Sequence, residues 1–418
     1  MALPRKIFGT ACLLATISVS GQGFAADLAQ QQKHLTNVTD AAKYKMLPYG
    51  IRSGSIIFSP GIGVNEIYDD NIYRDETGTQ SDFITVIQPS LAIATDFDLH
   101  RLYFRTNASL GYYGDHTSEN FQDYAAEGGG RLDLDYNTFI DVSSSYRHAH
   151  ETRDEADDPD SDKPVEYDLF TQKAGFTRAL GIIKLYVEGI YDRFKYDDFK
   201  RAGITVDSSG RDRSIYTLTT KLAYEYFPGY NVYVAAREDS RKYDKTGAVD
   251  RDSTGTELQA GTDLEITGKV KGDVYVSYLM RNYKDGISDV NEPGFGGSLI
   301  WNITGLTSLT FNANRSVQET AYQDASKNLK TDFSVQMDHT LRYNLFLNAN
   351  AGISLSNFDQ LSGNDREDKD YYLGSGIEYM PFNGTSIKLD YRYMQRDSNI
   401  ADGDFNDNKL ILSLAKQF

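Results

Sequence analysis

Lys409-Leu410-Ile411-Leu412-Ser413-Leu414-Ala415-Lys416-Gln417-Phe418 closes the chain and carries the reading of the fold. Along a strand, Leu410, Leu412, Leu414 and Phe418 share one face, while Lys409, Ser413 and Gln417 share the other. This is how the last strand of an outer-membrane β-barrel reads. Its apolar face meets lipid, its polar face meets the lumen, and a terminal aromatic settles at the periplasmic interface. Lys416 breaks the apolar series near the membrane edge, where its long stem can carry the charge to water.

The same alternation recurs upstream. Leu102, Phe104, Thr106, Ala108, Leu110 and Tyr112 alternate with Arg101, Arg105, Asn107 and Ser109. Val270, Val274, Val276 and Tyr278 alternate with Lys269, Lys271, Asp273 and Ser277. Ile387, Leu389, Tyr391 and Tyr393 alternate with Lys388, Asp390 and Arg392. Tight turns are expected at 96–98, 136–137, 180–181, 228–229, 267–268, 304–305, 343–344 and 383–384, most of them bearing Gly or Asn. Longer polar loops lie between them, among them 154–162, 202–210, 244–252, 285–292 and 363–368. Short turns face the periplasm in such barrels and long loops face outside. The segments therefore predict an all-β, transmembrane, antiparallel up-and-down barrel of about 18 strands (16–18). Tyr112, Tyr146, Tyr191, Tyr278 and Tyr393 fall beside the long loops. Tyr136, Tyr226, Tyr343, Tyr379, Trp301 and Phe418 fall beside the short turns, which predicts two interfacial girdles.

Composition agrees. The 418 residues include 30 Tyr, 21 Phe and 35 Gly but only nine Pro, which suits strands. No apolar run is long enough for a transmembrane helix. At the start, Arg5 and Lys6 precede the apolar stretch Ile7 to Val19, and Gly23-Phe24-Ala25 offers a cleavage site. The expected division is a signal peptide over 1–25, a short periplasmic extension over 26–50 and the barrel over 51–418. Export by the Sec route to a Gram-negative outer membrane follows. Cys12, the single cysteine, falls inside the signal, so the mature protein is expected to have no disulfide or thiolate metal site. The formal charge of −17 argues against nucleic acid as a partner. Outer-membrane lipids and lipopolysaccharide are the expected surroundings.

A barrel of this size encloses water rather than a packed core. The candidate translocation path is the predicted inner face: Arg101, Tyr103, Arg105, Arg131, Asp133, Lys184, Glu188, Lys269, Lys271, Asp273, Tyr275, Arg342, Lys388, Asp390 and Arg392. Charges of both signs on neighbouring strands can brace the wall or guide a polar solute. Inward Tyr103, Tyr113, Tyr186, Tyr233, Tyr275 and Tyr372 can stack on sugar rings or fill space, and the pattern favours neither. No serine–histidine–acid set stands out, so no catalytic residue is assigned and no enzyme or cofactor is expected. His148 and His150, with the acidic run from Asp154 to Asp158, read as a solvated rim rather than a dedicated metal site.

The stretch Gly61-Ile62-Gly63-Val64-Asn65-Glu66-Ile67-Tyr68-Asp69-Asp70-Asn71-Ile72-Tyr73 resembles the type 2 putative β-barrel porin family, together with Ser81-Asp82-Phe83-Ile84 and Gln88-Pro89-Ser90-Leu91. That family's first hairpin reads Tyr-Asp-Asp-Asn-Ile/Val, then Ser-Asp, then Pro-x-Leu. Its members are often encoded with exopolysaccharide genes. The resemblance therefore implies an exit conduit for a secreted exopolysaccharide, fed by a periplasmic polysaccharide-export protein, with the polymer as transported substrate. It carries no catalytic residues over. The alternative function is a general diffusion porin for small polar solutes. Such a porin calls for a long loop folded into the mouth, and no loop stands out in the sequence as long enough.

Overall fold

The computed structural model describes residues 37–418 except 98, 156–158, 160, 246–249, 267, 285–287, 319–324 and 361–364. The signal peptide expected over 1–25, and the extension as far as residue 36, lie outside the described residues.

The described residues form one short helix, α1 (Val38–Tyr44), and then strands almost without interruption. A three-residue strand, β1 (Ile51–Ser53), pairs only with the start of β2 (Ile56–Asp69). The first barrel strands are β2, β3 (Asp82–Thr95), β4 (Arg101–Tyr113), β5 (Phe121–Asp135), β6 (Thr138–His150), β7 (Glu166–Leu180) and β8 (Ile183–Tyr196). A small hairpin of β9 (Phe199–Arg201) and β10 (Ile204–Val206) decorates the next loop. The wall continues with β11 (Arg213–Phe227), β12 (Tyr230–Tyr243), β13 (Ser253–Ile266), β14 (Val270–Tyr283), β15 (Val290–Asn302) and β16 (Thr307–Gln318). It finishes with β17 (Ala325–Arg342), β18 (Leu345–Gln360), β19 (Arg366–Phe382), β20 (Thr385–Ser398) and β21 (Phe405–Gln417). Each strand pairs antiparallel with the next, and β21 returns to β2, from Gly61 opposite Gln417 to Asp69 opposite Lys409. Among the described residues this is a closed barrel of 18 strands, β2–β8 and β11–β21.

Closure explains how so polar a chain can lie in lipid: each barrel strand is paired on both sides, and no edge strand is left open. On β21, Leu410, Leu412, Leu414 and Phe418 are exposed on the outside. Ile411 on the inner face is buried with Ile67, Ile84 and Val86, an apolar patch that the alternation does not announce. Tyr112, Tyr146 and Tyr278 are exposed toward the long loops, and Tyr136, Tyr226, Trp301, Tyr343, Tyr379 and Phe418 toward the short turns. All eight expected turns join barrel strands at one end, though residues 98 and 267 are not described.

The family-like hairpin fastens the seam where the first and last strands meet. Asp70 accepts from the Asn408 backbone N–H (2.7 Å) and side-chain amide (2.8 Å). The Asn71 amide donates to the carbonyls of Asp75 (2.8 Å) and Asn406 (2.9 Å). Asp82 accepts from the His116 backbone N–H at 2.8 Å and lies 3.0 Å from its Nδ1. The motif is thus a set of short polar side chains that tie loop backbone to β21 and to the following loop.

Candidate functional site: a lumen narrowed at both ends

The inner wall is ionic, and its charges are tied along the wall. Lys184 pairs with Glu225 (2.8 Å), Lys221 with Asp263 (3.1 Å), and Arg281 with Asp239 (2.6 Å). Lys388 pairs with Asp390 (2.9 Å), Arg131 with Asp133 (2.8 Å) and Lys271 with Glu265 (3.4 Å). Arg105 lies over the Tyr103 ring, and Arg131 lies over Phe139. The strand register places Arg101, Tyr103, Arg105, Arg131, Asp133, Lys184, Glu188, Lys271, Asp273, Tyr275, Lys388, Asp390 and Arg392 on the inner face.

Two expected members are not on it. Lys269 sits in the turn before β14 and is exposed there, because the strand begins one residue later. Arg342 follows a bulge between Thr340 and Arg342 that pairs it with Leu345 on the outer face. An extra residue in a bulge reverses which way the next side chain points.

The inward tyrosines fill space along the wall. Tyr103 faces Gly129, Tyr233 faces Gly261, Tyr275 faces Gly261 and Gly296, and Tyr372 faces Gly352, each pair directly opposite across two strands. A Cβ on Gly129 would come within 2.6 Å of the Tyr103 hydroxyl, and one on Gly261 within 2.6 Å of the Tyr233 ring. The rings therefore lie flat in notches where a side chain is missing. This accounts for inward Tyr and inward Gly together, and keeps the rings against the wall.

The long-loop mouth is crossed by chain. The described part of the β6–β7 loop (151–155, 159 and 161–165) leans on its neighbours: Arg153 pairs with the buried Glu119 (3.0 Å), and Arg211 pairs with Glu151. Asp162 accepts from the backbone N–H groups of Ala202 (2.7 Å) and Gly203 (2.8 Å) beside the β9–β10 hairpin. The loop then reaches a distant part of the wall, where inward Arg396 of β20 donates to the Asp154 carbonyl (2.9 Å) while also binding Asp370 (2.6 Å). Inward Arg241 of β12 donates to the Val317 carbonyl at the outer end of β16 (3.3 Å), four strands away. The expectation that no loop is long enough to enter the mouth is thus corrected. Contacts across the opening, rather than loop length alone, decide it.

Beside this crossing, Asp69, Asp70 and Asp407 bring carboxylates close together. Arg74 lies 3.3 Å from Asp69 and 3.4 Å from Asp407, and Lys409 lies 3.3 Å and 3.6 Å from the same two. Two built-in cations, Arg74 and Lys409, already occupy the cluster between Asp69 and Asp407, so it reads as an ionic clasp. Burial opposes the Arg74 charge, but Asp69, Asp407 and Asp154 outweigh it and raise the pKa. Burial likewise opposes the Asp154 charge, yet Lys409 and Arg74 hold its carboxyl below the usual range. His148 and His150 pair separately, with Asp168 (2.9 Å) and Asp123 (2.8 Å). Residues 156–158 of the acidic run lie outside the described residues.

The short-turn end is narrowed by α1. Residues 37–48, within the expected periplasmic extension, fold back against the wall. Val38 N–H donates to Ser308 Oγ (3.1 Å) and Asn302 Oδ1 (3.3 Å), and Asn37 donates to Asp338 (3.0 Å). Lys43 pairs with Glu378 at 2.7 Å and lies over Phe346.

Against known proteins, the family described as putative beta-barrel porin 2 matches residues 46–418. No curated protein matches the chain. Among solved structures, the chain is similar to OccAB4 of Acinetobacter baumannii, at 10% identity over 88% of this chain and 99% of that one, with a TM-score of 0.48. It is also similar to OccK2 (OpdF) of Pseudomonas aeruginosa, at 10% identity over 87% and 98%, with a TM-score of 0.48. The outer membrane protein OpdK of the same organism gives 9% identity over 86% and 99%, with a TM-score of 0.46.

Proposed function

The chain belongs to the putative beta-barrel porin 2 family, and from that premise we propose that it is a passive outer-membrane channel for small polar solutes. One observation carries this reading: the β6–β7 loop crosses the mouth to Arg396, as a diffusion porin requires and a wide polymer exit does not. Paired charges along the lumen support it, because cations already held by carboxylates along the wall leave fewer groups to trap a passing polar solute. We read the protein as exported by a Sec signal to the outer membrane of a Gram-negative cell, amid lipopolysaccharide.

Export of an exopolysaccharide, delivered by a periplasmic polysaccharide-export protein, is the second reading. It is favoured by the polar contacts that hold α1, which a partner arriving from the periplasm could replace.

Liposome swelling with a graded series of neutral sugars tests the first reading. Fast entry of mono- and disaccharides with exclusion of longer oligosaccharides is expected. In cells, a deletion that abolishes surface polysaccharide while leaving small-solute uptake unchanged would overturn it in favour of export.

A further inference from the structure

The wall beneath α1 is shaped to receive it. Ser308, Asn302, Asp338, Thr340, Phe346 and Glu378 come from five consecutive strands, β15 to β19, and all are buried although they face the inside of a wide barrel. Ser308 also donates to Asn302 (2.7 Å), so the wall groups are ordered among themselves as well as against the helix. Ser308 and Asn302 take the Val38 N–H, Asp338 takes the Asn37 amide, and Thr340 lies 3.3 Å from the Thr39 hydroxyl. Glu378 takes the Lys43 ammonium. The chain leaving the helix is pinned to the adjacent turn, where Gly384 N–H donates to the Met46 carbonyl (2.8 Å). Gly384 leaves room for Pro48: a Cβ there would lie 2.8 Å from the proline ring.

We propose that Asn37 to Met46 is a built-in stopper, seated in the short-turn end of the barrel and released to widen the channel. The inference rests on the channel reading above and concerns its regulation. α1 has only seven residues, well below the length at which a helix holds together alone in water, so it exists because the wall holds it. Among the described residues its grip includes the Lys43–Glu378 ion pair, a few polar hydrogen bonds and the Lys43 ammonium over the Phe346 ring. Water can replace these polar partners when the helix leaves, at the cost of uncovering the buried Phe346 ring.

The chain itself supplies the test. Thr39→Cys with Thr340→Cys puts two sulfurs where the hydroxyls now lie 3.3 Å apart, so that oxidation can join them, in a mature protein expected to lack other cysteines. In planar bilayers the oxidised protein should show a lowered, steady conductance, and reduction should restore a higher, fluctuating one. Lys43→Ala should raise the conductance without any cross-link. Equal conductance in the oxidised, reduced and Lys43→Ala proteins overturns the stopper and leaves the channel intact. Absence of conductance in every form, the unmodified protein included, overturns the channel reading itself.

Discussion

At the residue scale, the telling pairs are Tyr–Gly and Asp–Asn. Gly352 lies opposite Tyr372, and any side chain there meets the ring. Gly352→Val should destabilise the barrel by roughly 1–3 kcal/mol, the usual range for overpacking, and Gly352→Val with Tyr372→Ala should recover much of it. Urea unfolding in lipid vesicles measures both. Asp70→Ala removes the carboxylate that accepts both donors of Asn408 at the seam, and should cost roughly 1–3 kcal/mol by the same assay. The sequence made the facing of most of these side chains readable, because a strand's period of two fixes which neighbours share a wall. Arg342 escaped because the bulge beside it leaves no mark in the alternation, and Lys269 because a strand boundary is a matter of one hydrogen bond. The notches for tyrosine were also hidden: the Gly and Tyr sit on different strands, and only register brings them together.

At the scale of elements, the strands and turns were legible and the contacts across the lumen were not. Arg396 and Asp154 are 242 residues apart, and no local period links them. Arg396→Ala should free the β6–β7 loop from the far wall. The expected outcome is a higher single-channel conductance and a larger sugar size limit in liposome swelling, with unchanged barrel content by circular dichroism. The helix α1 should answer to pH. Enclosure in the barrel, and then the nearby Asp338, push the Asp40 carboxyl up to about 6; Lys43 opposes and Glu378 adds to the rise. Lys388 is the further charge near Asp338. A carboxyl whose pKa is raised on docking binds its proton more tightly in the docked state. Seating is therefore strongest in acid and weakens as the pH rises from about 4 through about 6, when Asp40 ionises beside two other carboxylates. Conductance should rise over that window, and Asp40→Asn should flatten the profile.

For the whole molecule, the alternation and the turns implied an even, closed barrel, and 18 strands close it with β21 on β2. The lumen's width, the crossing of its mouth and the solute it admits depend on how distant loops meet, and the pattern of a single strand holds no such information. Leu412 and Ser413 allow the barrel's two faces to be compared on one strand. Leu412→Arg should cost up to about 2–4 kcal/mol if it lies near the membrane midplane, whereas Ser413→Arg should cost little, since its side chain meets lumen water. Heat-modifiable mobility of the folded protein reads this difference. A passive channel requires, above all, a continuous water path through the barrel. Single-channel recording of the unmodified protein in a planar lipid bilayer tests this most directly. Discrete, ohmic conductance steps in simple salt are expected, growing when Arg396 is replaced by alanine; a folded, inserted barrel that passes no ions in either form would contradict the channel reading.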